Sequence, residues 1–313
     1  MSLPLDAPSA QNTTMNATRP FYWSVRRELW ENRSIYLAPL IVAGVVLFAF
    51  LIAFSHGGAS GAHMVLNSHD QMTTAKKGGE TTMSPTFVAA LPFEILALIL
   101  LVTGIIVGLF YCLGALHNER RDRSILFWKS MPVSNLTSVL AKAAIPMAVI
   151  PAVVFVIITA AQLITLFLAA ACLAGHGQDI AMVWRAQPFG RGTLVLIYAL
   201  LVFALWYAPI YAWILLVSAW AKNMTFLWAV APPLVLSVFE RIAFSTSFVG
   251  ELIKYRLSGV ASVAFSPSEG SHIDLENLDP IGFLTAPGLW LGLIAAALML
   301  AAVVWLRRRR EPI

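Results

Sequence analysis

Of the 313 residues in this chain, 59% are hydrophobic and only 12% charged, and the mean hydropathy is +0.77. Those proportions exclude a water-soluble globule of ordinary makeup and point to lipid as the main solvent. A net charge of +5 and a pI near 9.4 therefore report membrane topology and attraction to anionic lipid rather than a nucleic-acid surface.

The polar stretch from Met1 to Arg19 is rich in Ser, Thr and Asn and lacks the apolar core of a cleavable signal peptide, so residues 1–19 are expected to form a disordered cytoplasmic tail. Residues 20–313 are expected to form one all-α integral membrane domain. In Phe21–Asn32, Phe21, Tyr22, Val25, Leu29 and Trp30 share one face at helical spacing, while Ser24, Arg27, Glu28 and Glu31 take the other. That division predicts a helix lying in the membrane interface, with a simple solvated leader as the alternative. Arg26 and Arg33 suit the apolar face only if their charged ends snorkel toward headgroups.

Apolar runs long enough to cross a bilayer follow at about 36–54, 93–116, 143–172, 194–220, 224–242 and 287–306, which predicts six spanning helices. The third run exceeds what a bilayer needs and carries Pro146 and Pro151, so a kink, a tilt or an extension past the membrane is expected there. Pro232 and Pro233 are expected to break the fifth. Six spans bring both ends of the chain to one side. That side holds fourteen of the twenty-one Lys and Arg residues, with Arg307–Arg310 directly after the last span, and the bias predicts cytoplasmic termini.

The connection His117–Lys142, HNERRDRSILFWKSMPVSNLTSVLAK, is too apolar for a plain turn. Asp122 or Ser124 suits the start of a short helix, Ile125, Leu126, Phe127, Trp128 and Met131 give it apolar surface on nearly all sides, and Pro132 ends it. Ser134 then suits the cap of the helix that becomes the third span. Such a helix is either gripped by a cytoplasmic partner or anchored in the membrane interface, and composition leaves both open.

On the opposite side, Ser55–Glu80 shows neither strand nor helix periodicity, whereas Phe248–Leu257, FVGELIKYRL, has helical spacing and predicts a short external helix before the last span. Glu94, Glu240 and Arg241 lie at predicted outer boundaries: they are either solvated or mutually paired, or they lie deeper and form an external gate. Glu269, Asp274, Glu276 and Asp279 lack the glycine turn of a calcium loop, and His63, His69 and His272 have no ligand spacing, so no metal site is expected. Cys112 and Cys172 fall inside apolar runs and read as packing residues. Gly104 and Gly108 make a GxxxG pattern that suits either a dimer seam or packing within one chain. Phosphate-loop, zinc-protease and esterase signatures (GxxxxGK[ST], HExxH, GxSxG) are absent.

Taken together, an amphipathic first helix, six spans, a helix between spans two and three and a helical external segment before span six resemble a type-2 ABC transporter permease. The architectural likeness runs from Phe21 to Arg310, and Glu119–Ser134, ERRDRSILFWKSMPVS, most resembles a bacterial branch of that family. The resemblance implies that Phe21, Tyr22, Trp23, Val25, Leu29 and Trp30 belong to an elbow helix. It also implies that Asp122, Arg123, Ser124, Ile125, Leu126, Phe127, Trp128, Lys129, Met131 and Pro132 form a coupling helix seated in a separate ATP-binding-cassette subunit. ATP and Mg would then be bound by that partner, this chain holding no cofactor and no catalytic residue. Two copies, or this chain and a paralogue, would line an export path in a bacterial inner membrane, in contact with lipid and with no nucleic acid. The competing readings are a non-transporting sensor or assembly subunit that docks a regulator, and an intramembrane enzyme, for which no catalytic dyad is visible.

Overall fold

The computed structural model describes residues 18–56, 85–122, 134–175, 189–265 and 275–309. Helices account for nearly all of them, and the described residues include no strands beyond the single bridge between Phe265 and Leu278. In chain order the helices are α1 (Thr18–Glu31), α2 (Ser34–His56), α3 (Pro85–Ala115), α4 (His117–Arg121) and α5 (Asn135–Ala144). A π-helical turn, Ile145–Val149, leads from α5 into α6 (Ile150–Gly175). Then come α7 (Phe189–Trp220), α8 (Thr225–Phe244), α9 (Phe248–Ser258), α10 (Val260–Ala264), α11 (Pro280–Thr285) and α12 (Pro287–Arg309).

Six segments are long and apolar enough to cross a membrane: Ser34–Ile52, Phe93–Arg121, Asn135–Ala171, Phe189–Trp220, Thr225–Phe244 and Pro287–Arg309. They coincide with the six predicted runs, and the chain is a multi-pass membrane protein. Large side chains such as Phe48, Phe110, Phe167, Leu201 and Leu298 are exposed on the bundle's flanks, as they are when hydrocarbon is the solvent. The described chain starts and finishes at the same end of the bundle, because α1 and the last turn of α12 meet there through Glu119 of α4.

The third span, Asn135–Ala171, is long, and it carries a π-helical turn at Pro146 while the helix runs on through Pro151. Ser134 caps α5, its hydroxyl accepting from the Thr137 N–H at 3.0 Å. Pro146 cannot donate to the preceding turn, and the ladder widens into the π turn before α6 begins at Ile150. The prediction for α8 needs correction: the helix runs unbroken through Pro232 and Pro233. Pro233 leaves the Ala229 carbonyl without its usual donor, and the Trp213 indole N–H of α7 supplies one at 3.0 Å. Tertiary packing thus repairs the hydrogen bond that the local rule counts as lost.

Gly104 and Gly108 of α3 serve packing within the chain. A methyl group at Gly104 would lie 2.7 Å from the Val154 side chain of α6, and one at Gly108 would lie 3.2 Å from the Tyr211 ring of α7. Cys112, fully buried one turn on, is the packing residue expected, while the Cys172 side chain lies outside the described residues.

At the far end, α9 to α11 pack on α7 and α12 around the fully buried Trp206, with Val202, Val260, Ala264, Phe283 and Leu289. α9 matches the helix predicted over Phe248–Leu257. Arg256, one of its basic residues, sits 4.8 Å above the Trp206 ring and donates to the Gly288 carbonyl at 2.8 Å. Gly288 and Gly292 leave room on α12 for Tyr255 and Arg256. Burial lowers the Arg256 pKa from its ordinary value, although a guanidinium stays charged at neutral pH.

Replacing Gly104 by Ala is expected to destabilise the bundle by about 1–3 kcal/mol through overpacking against Val154. In thermal denaturation of the detergent-solubilised protein, Gly104→Ala combined with Val154→Ala should lose less than the sum of the two single changes. Simple additivity would show that the two residues do not share the contact described.

Candidate functional site

Six charged side chains and a tyrosine meet at the α1 end of the bundle. Glu28 of α1 accepts from Lys142 Nζ of α5 at 2.7 Å and from Arg27 Nη2 at 2.9 Å through one oxygen, and from the Tyr111 hydroxyl of α3 at 2.9 Å through the other. Glu119 of α4 pairs with Arg27 at 2.9 Å and Lys142 at 3.2 Å through Oε1, and with Arg307 of α12 at 3.0 Å through Oε2. Arg27 also reaches Glu31 at the rim, 3.3 Å away. Three cations face three carboxylates, so the cluster is neutral as a whole.

The Glu28, Lys142 and Arg307 side chains are under 5% exposed, and that of Glu119 is 8% exposed. At such burial an isolated charge is costly, and the cluster is tolerable only because each carboxylate oxygen has a donor. Glu31, less buried and outside the spans, has its pKa raised by burial, against the pull of Arg27.

Two further contacts fasten α4 to α7. The buried Ser218 of α7 donates to the Leu113 carbonyl at 2.9 Å and accepts from the N–H groups of Leu116 at 3.2 Å and His117 at 3.0 Å, satisfying the backbone where α3 breaks into α4. Arg120 donates to the Ala219 carbonyl at 2.8 Å and the Ala221 carbonyl at 3.3 Å, placing a cation on the negative end of α7. A five-residue helix therefore touches every neighbour that matters at this end: α1, α5, α7 and α12.

The predicted site residues fall into three groups. Asp122 closes α4 as an exposed residue 3.7 Å from the Arg121 guanidinium, while Arg123, Ser124, Ile125, Leu126, Phe127, Trp128, Lys129, Met131 and Pro132 lie outside the described residues. Both roots of that segment are nonetheless in place: Glu119 on one side and Lys142 on the other, paired to each other. In α1, Phe21, Tyr22, Trp23 and Trp30 are exposed, and Val25 and Leu29 pack on the core. Arg26 lies over Trp23 at 5.1 Å and Trp30 at 5.3 Å, so the aromatic face itself takes up its charge.

The third group is Glu94, Glu240 and Arg241. Glu94 is partly buried on α3 and Arg241 is exposed on α8. Glu240 accepts from the backbone N–H groups of Phe248 and Val249, each at 2.7 Å, and from the Thr246 hydroxyl at 2.8 Å. It fixes the first turn of α9 against the end of α8. Asp279, considered with the external acids, caps α11 by accepting from Gly282 N–H at 2.7 Å. Glu269, Asp274, His63, His69 and His272 lie outside the described residues, as does the Glu276 side chain.

Sequence reasoning placed Glu28 and Arg27 on the polar face of an interfacial helix. The structure turns that face inward, onto the bundle. The visible signal was Lys142, a lone charge entering an apolar run, together with Glu119 among basic neighbours at the end of another. No family model, curated protein or solved structure matches the chain.

Glu119→Gln leaves Arg307 buried without its carboxylate and is expected to cost about 3–5 kcal/mol. Adding Arg307→Met should restore more than half of that loss in thermal unfolding, and a Glu119→Gln protein as stable as wild type would remove the cluster from any structural role.

Proposed function

We propose that this chain is the membrane-spanning subunit of an ATP-binding-cassette transporter, working as an exporter and driven by a separate ATP-binding subunit that grips residues 122–132. On this reading α1 is the elbow helix, its Phe21, Tyr22, Trp23 and Trp30 immersed in the interface, and the α1 end faces the cytoplasm of a bacterial cell. The transport path forms between two copies of the domain or between this chain and a paralogue. ATP and Mg belong to the partner, and this chain has no catalytic residue of its own.

The observation that carries the proposal is the Glu119–Lys142 pair with its surrounding cluster. A segment that receives force from a partner must pass it on without dissipating it in loose joints. The two roots of 123–133 are ion-paired to each other and to α1 and α12, and Arg120 and Ser218 tie the first root to α7. Displacement of the segment is thereby delivered to four spans at once. The basic excess near this end supports its cytoplasmic placement.

The test is co-purification in mild detergent with an ATPase assay. Wild type should bring down an ATP-binding subunit whose turnover responds to the membrane chain. Trp128→Ala should stay in the membrane, but its affinity for the partner should fall by about 2 kcal/mol, roughly thirtyfold, with loss of coupled turnover. A chain that purifies with no nucleotide-binding partner, or transports normally with Trp128→Ala, would favour a sensor or assembly subunit.

A further inference from the structure

α1 sorts its charges by face. Arg27 and Glu28 turn inward and are paired within the cluster, whereas Arg26 and, at the joint with α2, Arg33 are exposed and meet no carboxylate among the described residues. Trp23, Arg26, Trp30 and Arg33 recur at intervals of three, four and three, the spacing of one helical stripe. Both indoles are more than half exposed, and the Arg26 guanidinium lies over them, 5.1 Å from the Trp23 ring and 5.3 Å from that of Trp30. The other exposed acid of α1, Glu31, is held by Arg27 at 3.3 Å, so the stripe presents net positive charge. The same pairing recurs at the end of α12, where Arg309 lies 4.4 Å from the half-exposed Trp305 ring.

A guanidinium resting on indole faces keeps its in-plane N–H donors free, and those donors match the two unesterified oxygens of a phosphodiester. Holding Arg26 in place beforehand lowers the entropy lost when such a ligand binds. Depth decides what carries the phosphate. The first span begins at Ser34, directly after Arg33, and Leu37, Leu40 and Ile41 are exposed beyond it at helical spacing from Arg33. An acidic soluble protein would have to displace headgroups to reach this level. A phospholipid meets both features in one pose, its phosphate on the arginines and its acyl chains along the three apolar side chains. A choline or ethanolamine headgroup brings a cation of its own to the stripe, which favours headgroups that lack one.

We propose that the stripe of Trp23, Arg26, Trp30 and Arg33 is a binding site for an anionic phospholipid of the phosphatidylglycerol type, its phosphate held by the two arginines. The inference goes beyond the transport reading and does not depend on an ATP-binding partner. The lipid occupies the outer face of the helix whose inner face carries Arg27 and Glu28, so its binding favours the seating of α1 on the charge cluster.

The test uses the full chain in a neutral detergent without any partner. The probe is phosphatidylglycerol with a diazirine in one acyl chain, photolysed and mapped by peptide mass spectrometry, with phosphatidylcholine of the same chains as its counterpart. Saturable adducts are expected on residues 34–41, with half-saturation at least about fivefold lower for phosphatidylglycerol than for phosphatidylcholine. Arg26→Gln should raise the phosphatidylglycerol half-saturation about fivefold, the effect of one cation near an anionic headgroup. Adducts beside Trp305 should persist in that variant and report an intact fold. Lys254→Gln removes the same charge from the exposed surface of α9 and should change neither. Equal half-saturation for the two lipids, indifference to Arg26→Gln, or an equal effect of Lys254→Gln would overturn the proposal. Glycerol phosphate, the headgroup without its chains, should fail to displace the probe at equal concentration; displacement would make this a site for a free phosphate ester and sink the lipid assignment. Failure to find an ATP-binding partner would leave these results untouched.

Discussion

Glu119 is the constraint on which the α1 end of the molecule depends. Its two oxygens answer cations from α1, α5 and α12, and the helix that carries it is itself stitched to α7 by Arg120 and Ser218. Buried ion pairs rarely add much net stability, because desolvation offsets most of the attraction. What such a cluster does supply is discrimination: apolar helices in lipid slide past one another at little cost, whereas a carboxylate that must meet three donors admits one register.

The two ends of the bundle are held by different physics. One end has the neutral charge cluster; the other has an arginine whose charge is met by the Trp206 ring and by backbone carbonyls. Along α12, Gly288 and Arg307 are separated by roughly 28 Å, close to the thickness of the hydrocarbon core. Between these levels the helices meet through small residues, apolar side chains and the π turn. Polar fastening between helices is thus concentrated at these two ends, and between them it is sparse, the Trp213 indole on the Ala229 carbonyl being one such contact.

The sequence made some of this legible. Span positions follow from run length alone, the Ser134 cap from residue type, and α9 from its spacing, because each is a local property of a contiguous segment. Glu28 and Pro233 were misjudged for the same reason as each other: their partners are remote in the chain. Glu28 finds Tyr111 and Lys142 more than eighty residues away, and the carbonyl that Pro233 orphans is met by a tryptophan on another helix. Periodicity describes which residues share a face, but it says nothing of what that face will meet. Glu240 sat between the two cases: its position at a helix end was readable, and its use as a backbone acceptor depended on how α9 folds back.

The cluster also imposes an order on biogenesis. Its members leave the ribosome as Arg27 and Glu28, then Tyr111 and Glu119, then Lys142, and only after 164 further residues of chain does Arg307 follow. Until then the Arg307 contact to Glu119 Oε2 is missing, and the register of the bundle is held at this end by the Arg27 and Lys142 pairs alone. The last helix completes the cluster, and a chain stalled before it would leave Glu119 with Arg27 and Lys142 but without Arg307.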